Sequence, residues 1–132
     1  MKALEDLIAL LSRLPSIGKK SASRIAFHIL RSDEAFAHSM AERIVRLRSA
    51  IRFCSICGAY TESDPCTICA SPSRDRTIVC VIEQPQDVLT IEAGREYNGL
   101  FHVLGGLISP LDGVGPEKLR IGSLEKRVRS GG

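Results

Sequence analysis

The sequence predicts an α+β chain in three parts: a helical bundle over residues 1–53, a four-cysteine metal motif over 54–70, and an α/β segment with parallel strands over 71–132. Three observations predict it. Apolar residues recur at helical spacing from Leu4 to Ile51; two Cys-x-x-Cys pairs, Cys54/Cys57 and Cys66/Cys69, interrupt the chain; and β-branched runs alternate with a helical pattern beyond them.

Leu4, Leu7, Ile8, Leu11 and Leu14 repeat at helical spacing with Glu5, Asp6, Ser12 and Arg13 between them, so residues 3–13 read as an amphipathic helix that Pro15 ends. Pro15-Ser16-Ile17-Gly18 is a hairpin in which Gly18 permits a left-handed or closely approached backbone and Ile17 plugs the gap between helices. A second helix runs from Lys19 to about Leu30 with Ala22, Ile25, Ala26 and Ile29 inward. A third starts at the N-cap Asp33 and runs towards Ile51, with Phe36, Met40, Ile44, Leu47 and Ile51 inward and Arg43, Arg46 and Arg48 on a solvated face.

In Cys54-Ser55-Ile56-Cys57-Gly58 and Cys66-Thr67-Ile68-Cys69-Ala70, the two residues between cysteines let both sulfurs of a tight turn address one ion. Two such turns supply four thiolates, a closed tetrahedral set with no position left for water, so the expected Zn2+ is structural. Gly58 leaves room for backbone N–H groups to approach sulfur. An iron–sulfur cluster also takes four thiolates, but usually from other spacings. The fifth cysteine, Cys80, lies in an apolar run and reads as a small core residue.

Ser71 to Arg76 reads as a linker. Thr77-Ile78-Val79-Cys80-Val81-Ile82 then has the β-branched continuity of a strand covered on both faces, ending at Glu83. Pro85 starts a helix that Gly94 stops, and Leu100 to Leu104 form a second strand closed by Gly105-Gly106, so the β-α-β order implies a parallel pair. Residues 110–116 are a loop, and Glu117 to Arg129 a helix open to a break at Gly122. Two parallel strands make no stable sheet alone, which points to a partner or to a fragment.

A hydrophobic content of 44% and a charged content of 25% are ordinary for a globular chain. Glu5 and Asp6 inside the first apolar stretch exclude a secretory signal, and no apolar run reaches membrane-spanning length, so a cytoplasmic protein is expected. Few aromatics and no Trp argue against an aromatic platform for single strands. Residues 1–52 hold ten Lys/Arg against five Asp/Glu and residues 53–132 hold eight against ten, which places a polyanion partner at the front. A hairpin feeding a helix start aims free N–H groups outward, and Gly18, Lys19, Lys20 and Arg24 make that end a phosphate site without base reading; Arg13 is a weaker candidate. The alternative for Lys19 and Lys20 is simple solvation.

Leu14-Pro15-Ser16-Ile17-Gly18-Lys19-Lys20-Ser21-Ala22 resembles a helix-hairpin-helix motif, with Ser16 where the usual form has glycine. Its order before a four-cysteine motif and a strand ending in Glu83, together with the stretch Tyr97 to Gly106 and the 108–116 loop, resembles the RecR family of bacterial recombination mediators over essentially the whole chain. The α/β segment is similar to a Toprim domain without its C-terminal part. The resemblance implies a non-enzymatic DNA-repair protein that binds single- and double-stranded DNA without sequence preference, Ser16 contributing at the hairpin. It further implies action with RecO and RecF in loading recombinase, dimers or ring tetramers in the full-length family, and a nucleoid-associated place in the cytoplasm. Glu83 falls where Toprim enzymes keep a catalytic glutamate, but their later acidic strand is not in this sequence. Glu83 therefore reads as a partner-binding acid; the alternative is a fragment of a Toprim-type nuclease, primase or topoisomerase using Glu83 and magnesium.

Overall fold

In the computed structural model, which describes residues 1–131, the first apolar stretch folds as α1 (Lys2–Leu11). It stops where Ser12 turns both its amide and its hydroxyl onto the carbonyl of Ile8, at 3.0 and 2.8 Å. Helix α2 (Lys19–Arg31) packs on α1 through Ala22 and Ala26, both buried, flanked by half-buried Ile25 and Ile29. Small side chains on the contact stripe let the helix backbones approach closely. Helix α3 (Glu34–Ala50) begins as expected, with Asp33 Oδ1 accepting from the Phe36 amide at 3.0 Å.

The inward face expected for α3 is not inward. Phe36, Met40, Ile44 and Leu47 are all exposed, the last two by about three fifths, and Ile51 is half-buried. A periodic apolar stripe states that a face needs covering and says nothing of what covers it; among the described residues of this unit, Ile44 and Leu47 stay mostly uncovered. Residues Met1–Ser49 form one compact unit, and the chain from Ala50 onward forms a second.

The second unit opens with a two-stranded antiparallel ribbon, β1 (Arg52–Phe53) and β2 (Tyr60–Thr61), whose connection carries the first cysteine pair. The one-turn helix α4 (Thr67–Ala70) carries the second. Then β3 (Asp75–Ile82), α5 (Gln86–Ala93) and β4 (Gly99–Val103) give the expected β-α-β order, with β3 and β4 parallel and pairing Val79 with Leu100 through Ile82 with Val103. The region expected as a linker already belongs in part to β3, which starts at Asp75.

The strand covered on both faces is β4, not β3. All five β4 residues are buried, whereas Ile78 and Val81 of β3 are about half exposed. Phe101 and Val103 turn one face of β4 into a cluster with Val88 and the four cysteines, and His102 turns the other towards α6 (Ile121–Arg129). The 110–116 stretch is more ordered than a plain loop: a 3-10 turn at Pro110–Asp112 and a bridge between Ser109 and Val114. Gly122 sits inside α6 without breaking it; the start of the expected helix is instead a separate 3-10 turn, Pro116–Lys118. Among the described residues, no helix is long and apolar enough to cross a membrane.

Candidate functional site

The sulfurs of Cys54, Cys57, Cys66 and Cys69 lie within 4.8 Å of one another, and all four residues are buried. Sγ of Cys54 stands 3.9 Å from that of Cys69, and Sγ of Cys57 stands 3.7 Å from that of Cys66. Four sulfurs at about 2.3 Å from a tetrahedral ion are separated by about 3.8 Å, so the spacing fits zinc without rearrangement. Backbone amides already point at the sulfurs: Cys66 donates to Cys54 at 3.3 Å, Ala59 to Cys57 at 3.4 Å, and Cys69 to Cys66 at 3.4 Å. Such bonds stabilise thiolates.

Cys57, Cys66 and Cys69 do not ionise alike. Hydrogen bonding from Cys69 pulls the Cys57 thiol down to about 5, and that same bond, with burial, pushes Cys69 up; burial also raises Cys66. The Cys57 thiolate therefore forms readily, and ionising Cys66 and Cys69 in that pocket needs a cation among them. The first turn is further braced by Asp64, whose Oδ1 accepts from the Ser55 amide at 2.8 Å and hydroxyl at 3.0 Å; these bonds hold its carboxyl below the usual carboxylate range.

Beside Gly58, the backbone amide reaching sulfur is that of Ala59, while the Gly58 amide donates to Cys54 O at 2.9 Å. Gly58 itself sits at φ +82, and a side chain there would collide with Nη1 of Arg120 and stand 2.9 Å from its Cζ. Arg120 lies over the glycine, its Nη2 donating to Ile56 O and its Nη1 to Val103 O, each at 3.2 Å. Arg76 holds the second turn in the same way, its Nη2 donating to Cys69 O at 2.8 Å and Ser71 O at 3.3 Å. Each cysteine turn is thus tied by a guanidinium to the α/β segment.

Behind Arg120 lies His102, fully buried. Its Nε2 donates to Arg120 O at 2.8 Å, so its Nδ1 accepts from Arg127 Nη1 at 2.9 Å. Burial, together with both guanidinium charges, lowers its basicity. Arg127 also donates to Phe101 O at 2.6 Å, while its Nε and Nη2 have no partner among the described residues. Nothing in local patterning singles out Arg120, Arg127 or His102, whose partners are distant in sequence, and Arg76 reaches back only five to seven residues but to backbone carbonyls that no side-chain pattern marks.

In the first unit, the left-handed residue of the hairpin is Ser16, at φ 65, and not Gly18. Gly18 is extended, at φ −85 and ψ 179, and is the N-cap of α2 with no side-chain cap. Its carbonyl takes the first intrahelical bond, from Ala22 at 2.9 Å, so the amides of Lys19, Lys20 and Ser21 have no helical acceptor. Lys19, Lys20 and Arg24 are exposed. Lys19 borders a depression shared with Glu5, Ser12 and Ser23, whereas Arg24 borders another with Phe27, His28 and Arg31.

Glu83 is exposed just beyond β3. Asp87, the nearest acid in sequence, is engaged: its Oδ2 accepts from the Gln84 amide at 3.0 Å.

Comparison with known proteins gives three matches along the chain. Residues 4–48 match the family described as RecR, helix-hairpin-helix; residues 51–71 match the RecR four-cysteine zinc finger domain; and residues 77–128 match a Toprim domain. Among curated proteins, the chain is 52% identical over 132 residues to Recombination protein RecR of Treponema denticola, covering all of this chain and 68% of that protein. It is 52% identical over 128 residues to the Acidothermus cellulolyticus protein of that name, covering 97% and 64%, and 53% identical over 126 residues to that of Bifidobacterium longum subsp. infantis, covering 96% and 63%. The chain therefore spans about two thirds of the length of these relatives.

Proposed function

Because the chain belongs to the RecR family of recombination proteins, we propose that it is a DNA-binding recombination mediator with a structural zinc and no chemistry of its own. Division of labour follows the regions 1–53 for DNA, 54–70 for zinc and 71–132 for partners. Lys20 and Arg24, next to the open amides of the α2 start, would take phosphates of single- or double-stranded DNA, with Ser16 and Gly18 shaping the approach and Lys19 contributing from the flank. Phosphate contacts of this kind position a strand without reading bases. The observation that carries the reading is α2 itself: thirteen residues, four Lys/Arg and no acid.

Cys54, Cys57, Cys66 and Cys69 would hold the zinc, which when bound supplies a fixed dication joining two turns and, being fully ligated by protein, activates no water. The protein's own part is to present sulfurs already spaced for the ion and to fix the turns from behind through Arg76 and Arg120. Glu83 would meet a basic patch on a partner such as RecO or RecF during recombinase loading. The engagement of Asp87 with the Gln84 amide supports this over a two-acid magnesium site. Homo-oligomers, as a dimer or ring, and a nucleoid-associated place in the cytoplasm complete the proposal.

The test is Lys20→Glu with Arg24→Glu, read by retention of labelled DNA in gel shifts at low and moderate salt. Loss of retention with unchanged helical content is expected, along with affinity falling steeply as salt rises. Unaltered retention rejects the assignment, and magnesium-dependent cleavage that Glu83→Gln abolishes would transfer the α/β segment to the enzymes.

A further inference from the structure

Two helices of this protein pair exposed cations with acids one turn away: Lys2 with Asp6 in α1, and Arg129 with Glu125 in α6. Helix α2 does not. Lys19, Lys20, Arg24 and Arg31 have no acid on their own helix, and among the described residues none forms an ion pair. At 100° per residue, Lys20, Arg24, Phe27 and Arg31 fall within a sector of about 60°, opposite the buried Ala22 and Ala26. Phe27 sits in the middle of this cationic row, 41% exposed. Beside it, Ser21, Arg24, Ile25, Phe27, His28 and Arg31 line an open depression of about 520 Å³. An unpaired cationic row around a wetted ring has the chemistry of a strand carrying phosphate on one side and bases on the other.

We propose that the outer face of α2, from Lys20 past Phe27 and His28 to Arg31, is a contact ridge for one single strand of nucleic acid, with Arg31 taking a phosphate and Phe27 stacking a base. It rests on the DNA-binding reading above and extends it beyond the hairpin to the far end of the helix. Lys20 and Arg31 stand eleven positions apart, about 16 Å along the axis at 1.5 Å per residue, and duplex rise is about 3.4 Å per nucleotide. The ridge is thus long enough for several nucleotides. His28, which also lines the depression, stands edge-on to Phe36, ring centroids 6.1 Å apart. A duplex, whose bases are stacked inside, could use the arginines but not the phenylalanine.

The experiment is anisotropy titration of the whole zinc-loaded chain with labelled oligothymidylate and with duplex of equal length, across a salt series, for wild type, Arg31→Ala, Phe27→Ala and Lys20→Glu/Arg24→Glu. Arg31→Ala is expected to weaken both ligands and to reduce the salt slope by about one. Phe27→Ala is expected to weaken the single strand by about fivefold or more and leave the duplex unchanged. Circular dichroism confirms the fold of each variant, and Phe27→Tyr, which keeps a stacking ring, restores affinity. If Arg31→Ala leaves both affinities and the slope untouched, or Phe27→Ala affects the two ligands equally, the ridge is wrong while the hairpin reading stands. If Lys20→Glu/Arg24→Glu is also without effect, both fail.

Discussion

Gly58→Ala tests how the cysteine turns are fastened. The substitution does two separable things. It forces a side chain into a left-handed backbone at φ +82, which costs about 1–2 kcal/mol. It also drives the Arg120 guanidinium off the turn, and because the arginine tip is flexible, the clash relaxes by giving up its bonds to Ile56 O and Val103 O. Charged hydrogen bonds of this sort contribute about 1.5–3 kcal/mol each in partly buried settings, and re-solvation of the freed guanidinium returns part of that. The expected total is about 3–5 kcal/mol. In an Arg120→Ala background only the backbone strain remains, so Gly58→Ala there should cost about 1–2 kcal/mol, a coupling of about 2–3 kcal/mol. Urea unfolding of the four proteins of this cycle, followed by tyrosine fluorescence with zinc release into a chromogenic chelator, measures both terms. Costs that add to within about 0.5 kcal/mol would refute the idea that Arg120 is what Gly58 makes room for.

Chelating the metal should unfold the second unit as a whole, because the cysteines share a core with Val88, Phe101 and Val103; a melting curve that ignores the chelator removes the structural zinc. The same experiment should leave the α-helical signal of Met1–Ser49 largely in place. His102 gives the pH dependence: its folded pKa lies below 6.5, so below 6.5 the unfolded chain binds more protons than the folded one. Stability is complete above that value and falls as pH drops through it, by at most about 1.4 kcal/mol per pH unit. His102→Gln should lower stability at neutral pH but flatten this limb relative to wild type, and an unchanged limb would show that His102 does not titrate there. Arg74 grips Glu92 with two bonds of 2.7 Å and also reaches Gly99 O at 3.2 Å, both side chains mostly buried. Glu92→Gln should cost about 2–3 kcal/mol by leaving the guanidinium short of its counter-charge, and high salt should not erase the difference.

What the sequence made legible was what can be decided within a few neighbouring residues. Paired cysteines with two residues between them declare a shared ion, Asp33 declares a helix start, and β-branched runs around a helical pattern declare a parallel crossover. All three are local chemistry, and the fold brings the four sulfurs together, caps α3 at Asp33 and pairs β3 with β4 in parallel. The hairpin was legible as a turn but not in its dihedrals: glycine tolerates a left-handed backbone without requiring one, so Gly18 drew an assignment that falls on Ser16, the small polar residue two positions earlier. Burial was less legible still. The stripe on α3 and the continuous run in β3 both state an appetite for cover, yet Ile44, Leu47, Ile78 and Val81 stay about half exposed or more among the described residues. The fastening of the metal turns was out of reach, since Ile56 and Arg120 are 64 residues apart. That distance has a mechanical consequence. A motif tied to the α/β segment at both turns, by Arg120 in front of α6 and Arg76 in β3, cannot behave as a self-contained finger; a displacement of the cysteine turns reaches β4 through Val103 and α6 through His102. Substitutions on α6 should therefore alter how tightly the metal is held even though none of its residues touches sulfur.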